Sequence, residues 1–437
     1  AFLNQLGVSP TFNLLTSVMD DMRPENKYLH LMDEQEAITK AQALLNRPGD
    51  ANVSPLAVYR RAAKADSVQQ RRPNVVLIMM ESMSAKFMKH FGQSETLTPF
   101  LDSLYTRSIS FRNFYSAGIH TNHGLYATLY SFPAMMKRNL MKGSVIPRYS
   151  GLPTVLKENG YYNLFFMTHE GQYDNMNAFF RTNGYDEVFS QEDYPADKVV
   201  NSFGVQDDFL YDYAIPVLNQ RAATGQPFFA TLLSISNHPP YVIPPFFHPK
   251  TSEPEMQIVE YADWALRQFF EEARKQPWFD NTIFVLEGDH GKLVGDAECE
   301  LPESYNHIPL MIYSNRIQPE EKTAFGGQVD IQPTILGLLN IDYLQNNFGV
   351  DLLKEERPCM FYTADNMVVG RNDTLLYLYN YETQQELTYD IGNGKLNAVP
   401  MDDSFLPLKE YSFSMLQSAE FLVKHGKTLN SIPFTQQ

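Results

Sequence analysis

Residues 74–82 read Asn-Val-Val-Leu-Ile-Met-Met-Glu-Ser, a continuous apolar run that stops on a carboxylate. A run this short, with Pro73 before it and polar residues after it, predicts a strand buried on both faces, as in a parallel sheet. Working outward, similar runs at 109–115, 161–167, 228–235, 282–286 and 308–313 predict further strands. Helical stretches separate them. Thr98-Pro99 opens a helix to about residue 108, with cap and first-turn proline in sequence. Pro153 starts a short helix that Gly160 ends, Asp174 caps one ending before Gly184, and 329–339 forms another. Residues 253–275 form a long helix with Trp264, Leu266, Phe269 and Phe270 on its apolar side. The alternation predicts an α/β fold, a mostly parallel central sheet with helices on both faces.

The flanks differ from this centre. Residues 1–70 read as a helical lead-in, with helices near 34–46 and 54–66 and enough polarity to lie over a surface. Residues 71–350 carry the strand-helix alternation, and 351–437 read as a small C-terminal α+β subdomain of Tyr-rich strands (358–390) and a helix at 408–424. Apolar residues make up 43% of the 437, enough for a packed core, so the chain is not a disordered one. The net charge of −16 speaks against a general nucleic-acid binder, which needs a basic face. Cys299 and Cys359 are too few for a disulfide scaffold or a Cys-rich zinc site. No apolar run approaches the roughly 18 residues of a membrane helix. The chain starts at Ala1 with no visible signal peptide and reads as a processed or cut fragment.

In open α/β sheets ligands sit outside the carboxyl ends of the strands, so the polar residues after each run are the candidates. They are Glu81-Ser82, Thr168-His169-Glu170, Ser236-Asn237-His238 and Glu287-Gly288-Asp289-His290-Gly291. Two carboxylates and an imidazole suit a divalent cation such as Mn²⁺, Zn²⁺ or Mg²⁺. Singly, each such Glu or His is more often a cap, an ion pair or a surface group. Asp289-His290-Gly291 is the stronger signal, because these residues gain little from packing and the glycine permits a tight turn. Thr121, ahead of the helical run 125–131, sits at a helix N-terminus, where partial positive charge favours an alkoxide and anionic oxygens. A nearby metal would lower its hydroxyl pKa further. The plainer reading is an ordinary N-cap threonine.

The order of these motifs, from Asn74–Ser82 through Thr121 and Ser236-Asn237-His238-Pro239 to Gly288-Asp289-His290-Gly291, resembles the sulfatase/alkaline-phosphatase superfamily. The branch it looks like is that of the lipoteichoic acid synthase-like phosphoglycerol transferases. Asp330-Ile331-Gln332-Pro333-Thr334 and Gly349-Val350-Asp351-Leu352-Leu353 are similar to late motifs of the superfamily. The resemblance implies an alkaline-phosphatase-like fold and a set of roles. Glu81, Asp289 and His290 match the metal ligands, and Thr121 matches the nucleophile and fourth ligand. His238 matches a histidine contacting the phosphoryl group or leaving oxygen. His169, Phe179 and Arg181 look like the substrate-binding segment, across a longer spacer than the family's. His307 is a further candidate for facing the site, although capping of the next strand is the favoured reading.

The resemblance also implies one divalent metal ion, Mn²⁺ favoured over Zn²⁺ or Mg²⁺, and a phospho-threonine intermediate. The implied partners are a phospholipid head-group donor and a glycan or polymer acceptor. A membrane anchor upstream of residue 1 is implied too, with the catalytic domain outside the cytoplasmic membrane of a bacterial envelope. Sulfatases proper need a Cys or Ser in a Cys/Ser-x-Pro-x-Arg context, and neither cysteine has it. A single metal set favours a diester transferase over a two-metal monoesterase. The alternatives are a phosphoethanolamine transferase, against which the scarcity of cysteines weighs, a phosphodiester or phosphonate hydrolase, and a non-catalytic envelope protein that keeps the fold for binding.

Overall fold

The structure, a computed structural model, describes residues 28–47, 50, 59–61, 72–142 and 145–430. It opens on the helix Glu34–Leu45, capped by Asp33, whose carboxylate accepts the Glu36 N–H. Of the helix expected at 54–66, residues 54–58 and 62–66 lie outside the described residues. The three between them, Tyr59–Arg61, form a strand, β1, so no helix runs through them.

The central sheet consists of β2 (Asn74–Met80), β3 (Ile109–Tyr115), β4 (Tyr162–Phe166), β5 (Glu187–Phe189), β6 (Phe228–Leu233), β7 (Thr282–Gly288), β8 (Leu310–Tyr313) and β9 (Glu320–Gly327). Their spatial order is 5-4-6-2-7-8-3-9. Only β8 runs against its neighbours β7 and β3. A parallel return needs a long crossover, usually helical, and between β7 and β8 the chain makes only the short 3₁₀ turn Glu303–Tyr305. β2 lies at the centre and alternates strictly. Val75, Leu77 and Met79 enter one apolar core, with Leu125 and Leu129 of the helix Thr121–Tyr130. Val76, Ile78 and Met80 enter a second, with Leu266 and Phe269 of the helix Pro254–Ala273. The unbroken apolar run therefore serves two layers by the period-2 geometry of a strand. Each fully buried side chain of this kind contributes about 1.5–3 kcal/mol.

Two local readings change. Asp174 is not a helix cap; it lies in the 3₁₀ turn Tyr173–Asn175 at φ 50°, and Asn175 caps the helix Met176–Thr182. The helix Asp207–Ala222 has no counterpart among the expected elements: Pro216 interrupts it, and Leu210, Tyr211, Ala214 and Leu218 are its main buried positions.

β10 (Leu344–Asn346) pairs antiparallel with β1. Beyond it, β11 (Met360–Thr363), β12 (Met367–Arg371), β13 (Leu375–Asn380), β14 (Gln385–Asp390) and β15 (Asn397–Ala398) form an antiparallel meander. The helix Leu406–Lys424 packs on β11 and β12. The helix Glu34–Leu45 lies along it and buries Ala37, Ile38, Ala41 and Leu45. Lys424 pairs with Glu34 at 2.8 Å, and the Leu31 N–H donates to Gln417 Oε1 at 2.7 Å.

The late motifs serve the scaffold. Asp330 is fully buried and accepts from the Gly327 and Val350 N–H groups and from Arg357 Nε at 2.9 Å. The Leu352 N–H donates to Thr334 Oγ1 at 3.0 Å, so the two motifs bond to each other. Arg357 also donates to Tyr411 of the last helix, at 2.6 Å. Removing one partner of a buried pair strands the other charge and costs about 3–5 kcal/mol. Arg357→Met is therefore expected to lower the denaturant midpoint sharply. A midpoint equal to wild type would show that Asp330 does not depend on this partner.

Candidate active site

The carboxyl ends of β2 and β7 lie side by side, with Met79 opposite Glu287 and Met80 opposite Gly288. This register delivers Glu81 and Asp289 to the same edge. Both are buried, at 2% and 0% exposure. Glu81, Asp289 and His290 each offer a ligand atom, and these atoms lie within 4.8 Å of one another. Ser82 turns the chain at φ 50°, a conformation non-glycine residues adopt rarely, and this points its N–H at Asp289 Oδ1 at 2.8 Å. Its hydroxyl donates to Glu81 Oε1 at 2.7 Å. Asn237, after β6, donates its amide to the Glu81 and Ser82 carbonyls at 3.2 and 3.1 Å. The loop is thus pinned from both neighbouring strands.

Asp289 Oδ1 also accepts the His290 N–H at 2.7 Å, while its Oδ2 is buried with no hydrogen-bond partner. His290 Nδ1 meets the Gly291 carbonyl at 2.7 Å. A carbonyl only accepts, so Nδ1 carries the proton and Nε2 keeps a lone pair. Nε2 stands 3.6 Å from Asp289 Oδ2 and 3.8 Å from Glu81 Oε1. Burial and then the Glu81 charge push the Asp289 carboxyl well above the usual carboxylate range. Burial disfavours the His290 imidazolium, but Asp289 and Glu81 outweigh it and raise its pKa above 6.5. Two buried carboxylates, an orphaned carboxylate oxygen and a free imidazole nitrogen fit a divalent cation, which would supply the missing counter-charge. Gly291 is required by close approach, not by an unusual turn: a Cβ there would fall 2.0 Å from the Ser304 carbonyl oxygen.

Thr121 is the first residue of its helix, and His120 holds the cap position without a capping bond. The Thr121 hydroxyl turns to Glu81 Oε2 at 3.4 Å, so it is not spent on the backbone as in an N-cap threonine. The helix comes close because Gly124 lacks a side chain; a Cβ there would lie 2.2 Å from the Asp289 carbonyl oxygen. Buried Gln328 fixes this contact, donating to that same oxygen at 2.7 Å and accepting the Ala117 N–H at 2.9 Å. Gly124→Ala is expected to push the helix off the strand end, at about 1–3 kcal/mol for overpacking and about 10²-fold in turnover for a reacting group displaced by an ångström. Thermal melting beside steady-state turnover checks both, and wild-type values in each would contradict the close contact.

A cleft of about 420 Å³ opens over these groups, lined among others by Glu81, Thr121, Asp174, His238, His290 and Lys292. His238 Nδ1 meets the Pro239 carbonyl at 2.6 Å, which leaves Nε2 as the ring nitrogen open to a ligand. Lys292 donates to Asn237 Oδ1 at 2.7 Å and to the Tyr241 hydroxyl at 3.1 Å. Burial pulls its pKa down to about 8. Sequence reasoning included Ser82 and Asn237 among the strand-end candidates without giving either a role, and missed Lys292, whose one signal was its adjacency to Asp289-His290-Gly291.

Not every expected residue reaches the cleft. His169 is buried behind Tyr173, a lining residue, with ring centroids 4.8 Å apart. Phe179 is wholly buried and packs on Tyr130 and Tyr149, so it belongs to the core. Arg181 is exposed on the same short helix, bonding Asn177 at 2.7 Å and the Val188 carbonyl, and does not line the cleft. His307 bonds the Arg112 carbonyl at 2.8 Å and stacks on Tyr115, in keeping with the strand-capping reading. Burial raises the Cys299 and Cys359 thiols to about 11 and about 12, and neither lines the cleft.

A family model described as sulfatase matches residues 73–341. Lipoteichoic acid synthase 2 of Bacillus subtilis is 24% identical over 315 residues, 65% of this chain and 47% of that protein. Lipoteichoic acid synthase 1 of the same organism is 25% identical over 350 residues, 74% of this chain and 53% of that protein. The chain thus spans about half the length of the curated relatives it matches. A crystal structure of a protein in the alkaline phosphatase superfamily from Vibrio parahaemolyticus superposes with a TM-score of 0.81 at 27% identity, over 91% of this chain and 98% of that one. The lipoteichoic acid synthase LtaP from Listeria monocytogenes shares the fold, with a TM-score of 0.70 at 21% identity over 81% and 93%.

Proposed function

The chain belongs to the sulfatase family, and from that premise we propose that it is a metal-dependent transferase. It moves phosphoglycerol, or a related phospho head group, from a phospholipid to an envelope glycan or polymer through a phospho-threonine on Thr121. The observation that carries this is the Thr121 hydroxyl, 3.4 Å from a carboxylate of the Glu81, Asp289 and His290 cluster, at a helix N-terminus. The lipoteichoic acid synthases among its relatives support phosphoglycerol as the group transferred. Residues 71–350 are the catalytic unit in this reading, with 1–70 a lead-in and 351–437 a subdomain.

Glu81, Thr121, Asp289 and His290 would hold one divalent ion; three oxygen donors to one nitrogen favour Mn²⁺. When bound, such an ion lowers the threonine hydroxyl pKa and offsets phosphoryl charge. The protein residues do the rest. Thr121 Oγ1 gives its proton to Glu81 Oε2 and attacks phosphorus in line; the Oγ1–P bond forms and the bond from phosphorus to the lipid oxygen breaks. His238, protonated at Nε2, gives that proton to the departing oxygen. The neutral imidazole then takes the proton of an acceptor hydroxyl, whose oxygen attacks phosphorus; the P–Oγ1 bond breaks, and Thr121 Oγ1 takes its proton back from Glu81. The first-turn N–H groups of the Thr121–Tyr130 helix face the anionic oxygens. Arg181 has no part in this scheme, because it stands away from the cleft.

No helix among the described residues is long and apolar enough to cross a membrane. Action on a lipid donor calls for a membrane-proximal location, so we place the enzyme at the outer side of the cytoplasmic membrane. Incubation with phosphatidylglycerol and Mn²⁺ followed by intact-protein mass spectrometry is expected to show a phosphoglycerol adduct on Thr121. An adduct formed only with phosphatidylethanolamine would move the assignment to phosphoethanolamine transfer. Neither adduct nor bound metal would leave a binding protein.

A further inference from the structure

The transferred group is anionic, yet the cleft is acidic. Glu81, Asp174 and Glu255 line it, in a chain with net charge −16. Among the described residues that line it, Lys292 is the only lysine or arginine. Its surroundings are unusual for a structural lysine. It is half-buried, and no carboxylate lies within ion-pair distance of it; Glu255 and Glu81 act on it only from farther off. Its two hydrogen bonds go to neutral acceptors, Asn237 Oδ1 and the Tyr241 hydroxyl, and its ammonium sits over the Tyr241 and Phe87 rings at 4.8 and 5.4 Å. An ammonium has three N–H donors, so one remains for a ligand.

The position is fixed as well. Asn237 links Lys292 to the Glu81 and Ser82 carbonyls, and Tyr241 is held in turn by Glu255 at 3.2 Å. A cation held by neutral groups in the same cleft as Thr121 is arranged for an anion that arrives with the substrate. We propose that Lys292 is the phosphate-binding cation of this site, donating to a non-bridging oxygen of the phosphoryl group attacked by Thr121. The proposal rests on the phosphoryl-transfer reading above and supplies the substrate-binding cation that Arg181, away from the cleft, does not.

The test uses the Mn²⁺-loaded protein, with inorganic phosphate as the probe in calorimetric titration. Lys292→Met is expected to weaken phosphate binding roughly tenfold to a hundredfold, the span of one charge-assisted hydrogen bond. Lys292→Arg should recover most of it, and both variants should keep wild-type metal content by elemental analysis. If Lys292 merely braces Asn237 and Tyr241, Lys292→Met will lower the melting temperature while the folded protein binds phosphate as wild type does, and the proposal fails. Equal affinity with an unchanged melting temperature overturns it too. In either case a Thr121 adduct on the wild type leaves the transfer reading standing. A wild type that neither binds phosphate nor forms an adduct sinks both.

Discussion

Thr121→Ala is expected to eliminate transfer from phosphatidylglycerol, lowering turnover by about 10⁴-fold or more, as loss of a covalent nucleophile does in other enzymes. The fold should survive. Thr121 is half-buried, its side-chain hydrogen bond is a long one to Glu81, and the helix cap belongs to His120. Alanine is also a better helix former than threonine. The variant should therefore melt near wild type and form no adduct with any head group. Thr121→Ser keeps the oxygen and should retain measurable turnover. Wild-type turnover in Thr121→Ala would end the nucleophile assignment, whatever the metal content.

Asp289→Asn is expected to strip the protein of its divalent ion. Asp289 has two separable duties. Oδ1 receives the Ser82 and His290 N–H groups and shapes both loops, whereas Oδ2 has no partner within the protein. An asparagine oxygen can still accept the two N–H bonds, so the loops keep their course. The charge and the second oxygen are gone, and an amide nitrogen cannot ligate in their place. Elemental analysis after dialysis should find metal in wild type and little in the variant, with circular dichroism unchanged. Asp289→Ala should lose both the ion and the loop geometry, and so melt lower. Full occupancy in Asp289→Asn would refute the ligand set.

The sheet was legible because apolar runs and their polar ends are local signals. The Glu81, His238 and Asp289-His290 positions follow from strand ends, and Thr121 from its place at a helix N-terminus. What escaped depended on distant parts of the chain. Phe179 and Arg181 fit a spacing motif, but the burial of their helix against Tyr130 and Tyr149 is a tertiary fact. The Asp330–Arg357 pair joins residues whose relation no local pattern announces. Lys292 carries no local signal, because what sets it apart is the Asn237 and Tyr241 acceptors that the fold brings to it. The helix Asp207–Ala222 hid behind Pro216, and the strand expected at 308–313 is there as β8, but its antiparallel direction has no local signal.

The strict division of β2 between two cores has an evolutionary corollary. Exchange of one aliphatic residue for another along this strand is absorbed by repacking at under about 1.5 kcal/mol. An inserted or deleted residue is another matter, because parity inverts beyond it and every following side chain trades layers. Glu81 would then swing away from Asp289. The lineage can drift in composition here but not in length, and changes of length have to be taken up by the loops.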